Sequence, residues 1–231
     1  MSGKKVKIIV GIEFNSRANG ISRTKDWIDY RMEIFNKFTL QSLKKQTNQD
    51  FLVLVRYAEK TTDLIKDALS HYNPLPNNIK FIENKKYESI IEKSIKGYEY
   101  LYLVRLDCDD VYHKTFINQL HEYKPRKSTR ALINQKGYVY DAVNHRLGNW
   151  YYVSPPFYTL IYKTKDYLAG ERIPIPRGHC TVIKNPHEVI HKTNYAVIVH
   201  GKNTLNAFNN HRIGKVITDK KEIQNILKNF I

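Results

Sequence analysis

The sequence predicts an α/β protein whose mainly parallel sheet is covered by helices on both faces. The first observation is that apolar, β-branched strands alternate with amphipathic helices through the first 106 of the 231 residues. The second is an acidic run, Asp107-Cys108-Asp109-Asp110, that directly follows the fourth predicted strand. Because ligands bind at the carboxyl ends of the strands in such sheets, this run falls at the expected functional edge.

Each element of the first part follows from its periodicity and from the residues that end it. Val6 to Ile12 is apolar and opens into a loop rich in Asn, Ser and Gly, which is typical of a buried strand. From Asp26, apolar residues recur at three- and four-residue steps, which predicts a helix or helix pair ending near Gln49. The other predicted elements here are strands Phe51 to Tyr57, Ile79 to Ile82 and Tyr100 to Leu106, and helices Thr61 to His71 and Tyr87 to Lys96.

The chain changes character after Asp110, where short strands separated by Asn, Gly and Pro replace the regular alternation. This pattern predicts antiparallel strands and loops added to the sheet. The predicted elements are a helix at Thr115 to Tyr123, strands at Ala131 to Asn134, Tyr138 to Val143, Phe157 to Lys163 and Tyr195 to His200, and a closing helix at Lys221 to Phe230. No linker or repeat divides the chain, so we predict one domain over 1–231 with halves 1–111 and 112–231.

The composition describes a polar chain with a large positive charge. It has 38 Lys and Arg against 22 Asp and Glu, a formal charge of +16, and a mean hydropathy of -0.54. Its two cysteines are far apart in sequence, which argues against a disulfide scaffold or zinc ribbon and favours a reducing compartment. We find no apolar run near the roughly 20 residues that span a bilayer and no signal-peptide pattern, so a cytoplasmic location is expected.

Most of the positive charge lies in the second half. Residues 1–111 carry 19 basic and 15 acidic side chains, whereas residues 112–231 carry 19 and 7. An excess of this size favours a polyanionic partner, which could be nucleic acid, a phosphorylated substrate or an anionic membrane face. Charge alone does not choose among these three.

The acidic run after the fourth strand needs compensating positive charge, because carboxylates at this spacing raise each other's pKa. Oxygen ligands of this kind suit Mg²⁺ or Mn²⁺, which bridge phosphate oxygens and neutralise charge on a departing diphosphate. The alternative is a structural turn, with Asp110 capping the next helix. Arg105 directly precedes the run. If buried, it would need a carboxylate partner and could position Asp107 or Asp109.

The order of these segments resembles the GT-A fold glycosyltransferases, in which a D-x-D motif closes a nucleotide-binding half with the same layout. Four segments extend the resemblance to a rhamnosyltransferase-like group and together cover most of the chain: Trp27 to Val55, Tyr102 to Asp110, Lys136 to Lys163 and Val197 to Asn203. The resemblance implies a GT-A-like mixed sheet, with a parallel N-terminal half that binds a nucleotide-sugar donor and antiparallel additions in a C-terminal acceptor half.

Carried over residue by residue, the resemblance implies that Asp109 is a direct ligand of Mn²⁺ or Mg²⁺ and that Asp107 holds the ribose or donor sugar. It makes Asp110 a candidate second ligand and His200 the late histidine that completes the metal site. His200 also has an independent case, because it ends an apolar strand and precedes Gly201, where the backbone can approach closely. A structural role is the alternative for His200, and a turn explains Asn203 as well as diphosphate contact does.

The loop after the first strand is the expected nucleotide-binding edge. Glu13, Asn15 and Arg17 lie there, with Arg17 or Arg23 as candidates to meet phosphate. The resemblance implies that the base lies near Phe14 and the end of the second strand. Surface solvation explains each arginine equally well.

The acceptor side is expected in the second half. Trp150, Tyr151 and Tyr152 offer aromatic surface of the kind on which sugars stack, although core packing is the alternative. An inverting transfer needs a carboxylate or imidazole to take the acceptor proton. The candidates are His179, which the exposed-loop context of Gly178 favours, then Glu171, Glu188 and Asp141.

The leading hypothesis is therefore a metal-dependent glycosyltransferase that uses a nucleoside diphosphate donor and a hydroxyl of a cell-surface glycan or glycoprotein precursor. A phosphate-bearing acceptor, or contact with the inner face of an anionic membrane, would use the excess positive charge. One alternative is a basic nucleic-acid-binding module, but the chain has no signature of one and such a module has no use for the acidic run. Another is a haloacid-dehalogenase-type phosphatase, whose D-x-D-x-[TV] motif normally follows the first strand.

Overall fold

A computed structural model describes residues 5–16, 20–202, 208 and 212–231, and it confirms the α/β class. The strands are β1 (Val6–Glu13), β2 (Leu52–Tyr57), β3 (Ile79–Glu83), β4 (Tyr100–Asp107), β5 (Val111–Tyr112), β6 (Ala131–Ile133), β7 (Lys136–Asp141), β8 (Arg146–Tyr151), β9 (Tyr158–Lys163), β10 (His187–Val189), β11 (Tyr195–Val199) and β12 (Ile213–Ile217). The α-helices are α1 (Lys25–Ile34), α2 (Leu40–Lys44), α3 (Thr62–Ser70), α4 (Tyr87–Ser94), α5 (Phe116–Glu122), α6 (Thr164–Leu168) and α7 (Lys220–Leu227).

The larger sheet has seven strands in the order β10-β6-β9-β4-β1-β2-β3. β4, β1, β2 and β3 pair in parallel, as the first 106 residues predict. Helices α1, α2, α3 and α5 cover one face and α4 and α6 cover the other. Because both faces are buried, the central strands read as nearly continuous apolar runs rather than as alternating ones.

The first predicted helix is divided in the structure, and only parts of it have regular α geometry. The Trp27 backbone N–H donates to Thr24 Oγ1 at 3.4 Å, which caps α1. After α1 the chain forms a π-helical turn at Phe35–Thr39 and then α2. The prediction that the helix reaches Gln49 is wrong by five residues, because Thr47 N–H leaves the helical pattern and donates to Lys114 O at 2.7 Å.

The second half contributes to both sheets, which the sequence does not predict. β6 and β9 join the larger sheet, where β9 pairs antiparallel with β4. β12, β8, β7, β11 and β5 form a separate five-stranded sheet in that order. β8 falls within a segment where Gly148 was expected to break the strands. A Cβ at Gly148 would lie 2.6 Å from Ile213 Cγ2, so the glycine instead permits β12 to pack there.

The turn after β4 joins the two sheets. Thr39 Oγ1 donates to Asp110 O at 2.9 Å, and Ser42 Oγ donates to Tyr112 O at 2.8 Å. Tyr112 lies in β5, which pairs antiparallel with β11. The acidic run and the residues that follow it are thus held by side-chain hydroxyls of the helical layer and by the second sheet. No helix in the described part of the chain has the length and apolar character required to cross a membrane.

Candidate active site

The three carboxylates after β4 lie in three different environments. Asp110 N–H donates to Asp107 O at 3.3 Å, which closes a tight turn. The Asp107 side chain is 34% exposed, that of Asp109 is 11% exposed, and the Asp110 residue is 1% exposed. The short turn therefore points its acidic side chains in separate directions, and each has its own partner.

Asp110 has a structural contact. Its Oδ1 accepts from Ile198 N at 3.0 Å, which attaches β11 to the acidic turn. Burial, with Asp109 and Asp107 nearby, raises the pKa of Asp110 well above its usual range. Its predicted role as a second metal ligand gains no support from this geometry. The suggested helix cap is wrong, because Thr115 stands at the start of α5.

Asp109 lies in a buried cluster with Arg31, His200 and Tyr30, which we call the Asp109 cluster. Asp109 Oδ2 is 3.1 Å from Arg31 Nη1 and 3.3 Å from His200 Nε2, and those two nitrogens are 3.3 Å apart. The Tyr30 hydroxyl is 2.7 Å from His200 Nδ1 and donates to His200 O at 2.9 Å, which orients the ring. Burial would raise the pKa of Asp109, but the adjacent His200 ring and Arg31 guanidinium hold it below the usual range.

The predicted Mn²⁺ or Mg²⁺ would need Asp109, His200 and further oxygen ligands. Among residues 5–16, 20–202, 208 and 212–231, no three His, Cys, Asp or Glu side chains converge at metal-ligand spacing. Arg31 Nη1 instead lies against both predicted ligands. The residues present therefore do not fit the cation in this arrangement, and the metal requirement stays a prediction.

A pocket of about 380 Å³ opens on the other side of the acidic turn. We call it the edge pocket; it lies over the carboxyl ends of β1 and β4, and its polar and aromatic lining includes Glu13, Arg56, Tyr87, Arg105, Asp107, Tyr158 and His179. This volume falls within the range of small-molecule sites. The structure thus brings four residues predicted from sequence, Glu13, Arg105, Asp107 and His179, to one cavity.

Ion pairs and an aromatic ring shape the edge pocket. Arg56 Nη2 is 2.7 Å from Glu13 Oε1, and Arg105 Nη2 is 2.8 Å from Asp107 Oδ1. The Arg56 guanidinium also lies 4.3 Å from the centroid of the Tyr87 ring. Burial raises the pKa of Tyr87 to about 12, so its hydroxyl stays protonated at neutral pH.

His179 has the geometry of a base. Its Nδ1 is 2.7 Å from the Ser154 carbonyl oxygen, which can only accept, so Nδ1 carries the proton. This leaves the Nε2 lone pair available in the neutral ring. Burial lowers the pKa of His179 and favours that neutral form. The arrangement supports the prediction that His179 takes a proton.

Other predicted candidates have structural contacts. Asn15 is 6% exposed and donates through Nδ2 to Ser22 O at 3.0 Å, which holds the loop after β1. Trp150 lies in the apolar core, in agreement with the packing alternative rather than an open stacking face. Glu171 is exposed near Arg130 and is not among the residues that line the edge pocket.

Two further base candidates also have local partners. Asp141 accepts from the backbone N–H groups of Val143 and Asn144 and from Arg146 Nε, the last at 2.9 Å. Glu188 accepts from Arg126 N at 2.9 Å and from the Tyr123 hydroxyl at 3.2 Å. Both carboxylates therefore stabilise turns.

Three predicted positions give no direct information about phosphate binding. Arg17 and Asn203 lie outside the described residues. Arg23 ends an exposed 3-10 turn that begins at Gly20. Their roles stay predictions.

Arg31 and Arg56 are site residues that the sequence reasoning missed. Ile28, Arg31, Met32 and Phe35 have the i, i+3, i+4, i+7 spacing of an apolar helix stripe, and only Arg31 among them is charged. A charged side chain on such a stripe signals a buried partner. The signal for Arg56 is its place near the carboxyl end of a parallel strand next to β1.

A parallel sheet with an acidic turn and a charged pocket at its carboxyl edge defines an α/β class that binds ligands at this edge. The sequence profile of the family described as "Putative rhamnosyl transferase" matches residues 14–215. The chain therefore belongs to this family.

Solved structures with similar folds include TarS from S. aureus, with 16% identity, a TM-score of 0.43, and coverage of 84% of this chain and 37% of that one. The TarS 1–349 fragment in complex with UDP has 15% identity and a TM-score of 0.45, with coverage of 84% and 60%. A 4-diphosphocytidyl-2C-methyl-D-erythritol synthase from Anaerococcus prevotii has 14% identity and a TM-score of 0.35, with coverage of 96% and 94%. The chain thus spans well under two thirds of TarS. No curated protein matches it.

Proposed function

We propose that the protein transfers a sugar from a nucleoside diphosphate donor to a hydroxyl of a cell-surface glycan or glycoprotein precursor. The observation that carries this proposal is the convergence of Glu13, Arg105, Asp107 and His179 on the edge pocket. Family membership supports sugar transfer, and it favours this function over the nucleic-acid-binding and phosphatase alternatives.

In this proposal the edge pocket holds the donor and the reacting hydroxyl. The carboxylates of Glu13 and Asp107 accept hydrogen bonds from ribose or sugar hydroxyls, while Arg56 and Arg105 supply charge-assisted N–H donors. His179 Nε2 takes the proton of the acceptor hydroxyl as that oxygen attacks the anomeric carbon. Nδ1 keeps its bond to Ser154 O throughout, which fixes the ring for proton transfer.

Binding of the nucleotide is the first test. Full-length protein is heated with UDP, dTDP, GDP or CMP, each with Mn²⁺ and with a chelator. A nucleotide at 100 times its Kd is expected to raise the melting temperature by about 5 to 10 °C. Asp107→Asn should remove most of the shift, and Asp50→Asn, at an exposed carboxylate, is the matched control. Lack of a shift with every nucleotide, in both buffers, would contradict the proposed donor class.

The acceptor is tested separately with the nucleotide sugar whose base gives the shift. Release of the nucleoside diphosphate is measured with neutral and phosphorylated glycosides. We expect the phosphorylated set to react faster, because residues 112–231 carry 19 basic and only 7 acidic side chains. Binding to anionic but not neutral vesicles, weakened by salt, would support peripheral membrane contact. Equal rates with both sets of glycosides would contradict a phosphate-bearing acceptor. Lack of binding to anionic vesicles would contradict peripheral membrane contact.

A further inference from the structure

The carboxylates at the sheet edge are neutralised by arginines from neighbouring elements. Arg56 pairs with Glu13 at 2.7 Å, and Arg105 pairs with Asp107 at 2.8 Å. Arg31 pairs with Asp109 at 3.1 Å. The remaining carboxyl group of the turn, Asp110, is enclosed and bonded to backbone. The edge therefore has its balancing positive charge from side chains, which is the charge that a divalent cation would otherwise supply.

Arg31 lies where the predicted cation would bind. Its Nη1 contacts both Asp109 Oδ2 and His200 Nε2, the two atoms that a metal ion would bridge. A metal ion bridging the pair stands about 2.0 to 2.3 Å from each atom. An ion approaching this edge from the side of α1 would overlap the guanidinium and meet a like charge.

Arg31 is also held firmly in this place. Its Nη2 lies 3.0 Å from Cys108 Sγ, within the acidic turn itself. The guanidinium is 5.5 Å from the centroid of the Trp27 ring, one turn earlier on α1. The side chain is only 16% exposed, and the neighbouring carboxylate keeps it charged. Displacing it would leave Asp109 buried without its partner, which is costly.

We propose that Arg31 takes the place of the divalent cation, so that this enzyme binds its diphosphate donor and transfers the sugar without Mn²⁺ or Mg²⁺. The inference rests on the proposed function. Arg31 supplies its charge from the other side of the acidic turn, and the guanidinium groups that line the edge pocket and can donate to the diphosphate are those of Arg56 and Arg105.

The transfer step balances without a metal. The acceptor oxygen forms the new bond to the anomeric carbon, and its proton goes to His179 Nε2. The bond between the anomeric carbon and the diphosphate oxygen breaks, and its electron pair stays on the diphosphate. Arg56 and Arg105, which line the edge pocket, stabilise the charge that develops there, as preorganised donors do at other leaving groups, while Arg31 supplies positive charge beside Asp109.

The test compares metal-stripped full-length protein in chelator with the same protein in Mn²⁺ and in Mg²⁺. Nucleotide-induced thermal shift and nucleoside diphosphate release are measured in each. We expect both to change by less than about twofold, and Arg31→Gln to lower release by about 100-fold. Arg31→Lys keeps the charge and should recover much of the loss, mainly in KM. Arg126→Gln, at an arginine outside the cluster whose side chain is 72% exposed, is the matched control.

Loss of the nucleotide shift in chelator, with recovery in Mn²⁺, would overturn the role of Arg31 and leave the proposed function standing. A full nucleotide shift in folded Arg31→Gln would overturn it as well. If no nucleotide stabilises the wild type in any buffer, the donor class itself is wrong. Circular dichroism confirms that each variant is folded, and Arg31→Lys keeps the comparison valid if Arg31→Gln does not fold.

Discussion

Gly11 in β1 gives a direct test of how the edge pocket is built. A Cβ placed on Gly11 would collide with the hydroxyl oxygen of Tyr87, whereas the next ring atom, Cζ, would be 3.4 Å away, an ordinary contact. Gly11→Ala should therefore be destabilising in the wild type. It should be tolerated once the hydroxyl is removed by Tyr87→Phe.

The magnitude follows from two opposing effects. Overpacking a closed site costs about 1 to 3 kcal/mol, with about 2 kcal/mol as the middle of that range. Replacing a strand glycine by alanine regains about 0.5 to 1 kcal/mol of backbone entropy. We expect a net loss of about 1 to 1.5 kcal/mol for Gly11→Ala. In the Tyr87→Phe background we expect no loss or a small gain.

The assay is urea unfolding of the wild type, both single variants and the double variant, which gives the coupling free energy between the two positions. The thermal shift with the selected nucleotide is measured on the same four proteins, because Tyr87 lines the pocket. An equal cost of Gly11→Ala in both backgrounds would show that the hydroxyl does not occupy this space. A neutral Gly11→Ala in the wild type would refute the same reasoning.

Three further predictions follow from the contacts of single side chains. His179→Asn should lower kcat by about 100-fold or more while the nucleotide thermal shift is kept. Because burial lowers the pKa of His179 from its ordinary value of 6.5, kcat/KM should fall only as pH drops below 6.5. A fall of kcat/KM that begins above pH 6.5 would contradict the base role. Asp110→Ala should cost about 1 to 3 kcal/mol in urea unfolding, since Ile198 N–H loses its acceptor, whereas Asp110→Asn keeps an oxygen there. For Asp141, burial opposes ionisation, but bonds from Asn144 and Arg146 hold its pKa below 3.8. Its stabilisation is thus present above pH 3.8 and lost as pH falls through the lower folded value. Asp141→Asn should destabilise the protein at pH 7 by an amount that shrinks at acid pH, and a pH-independent difference would contradict this.

Periodicity was sufficient to predict the parallel part of the fold. The strands around β1 are buried on both faces, so their apolar runs are long and bounded by clear turn residues. β8 was missed for the opposite reason. It contains Gly148 and follows Asn144, which both suggest a break in a strand. Its pairing with β12 joins segments that are distant in sequence.

The candidate site was predictable where strand ends alone fix the position. Asp107 and Glu13 end paired parallel strands and must meet at one edge. The place of Arg31 depends on how α1 packs across the acidic turn, which no local pattern specifies. Trp150 was not predictable for a similar reason. The sequence around an aromatic residue in a strand does not indicate whether its ring faces solvent or the core.

The entry of β9 between β4 and β6 has a consequence for dissecting the protein. A fragment that stops at residue 111 would lose β9, the strand that flanks β4 in the larger sheet, and would leave the backbone groups of β4 exposed as a new edge. It would also lose Ile198, the partner of Asp110. The halves 1–111 and 112–231 are therefore not separable modules, and they should melt together in one cooperative transition.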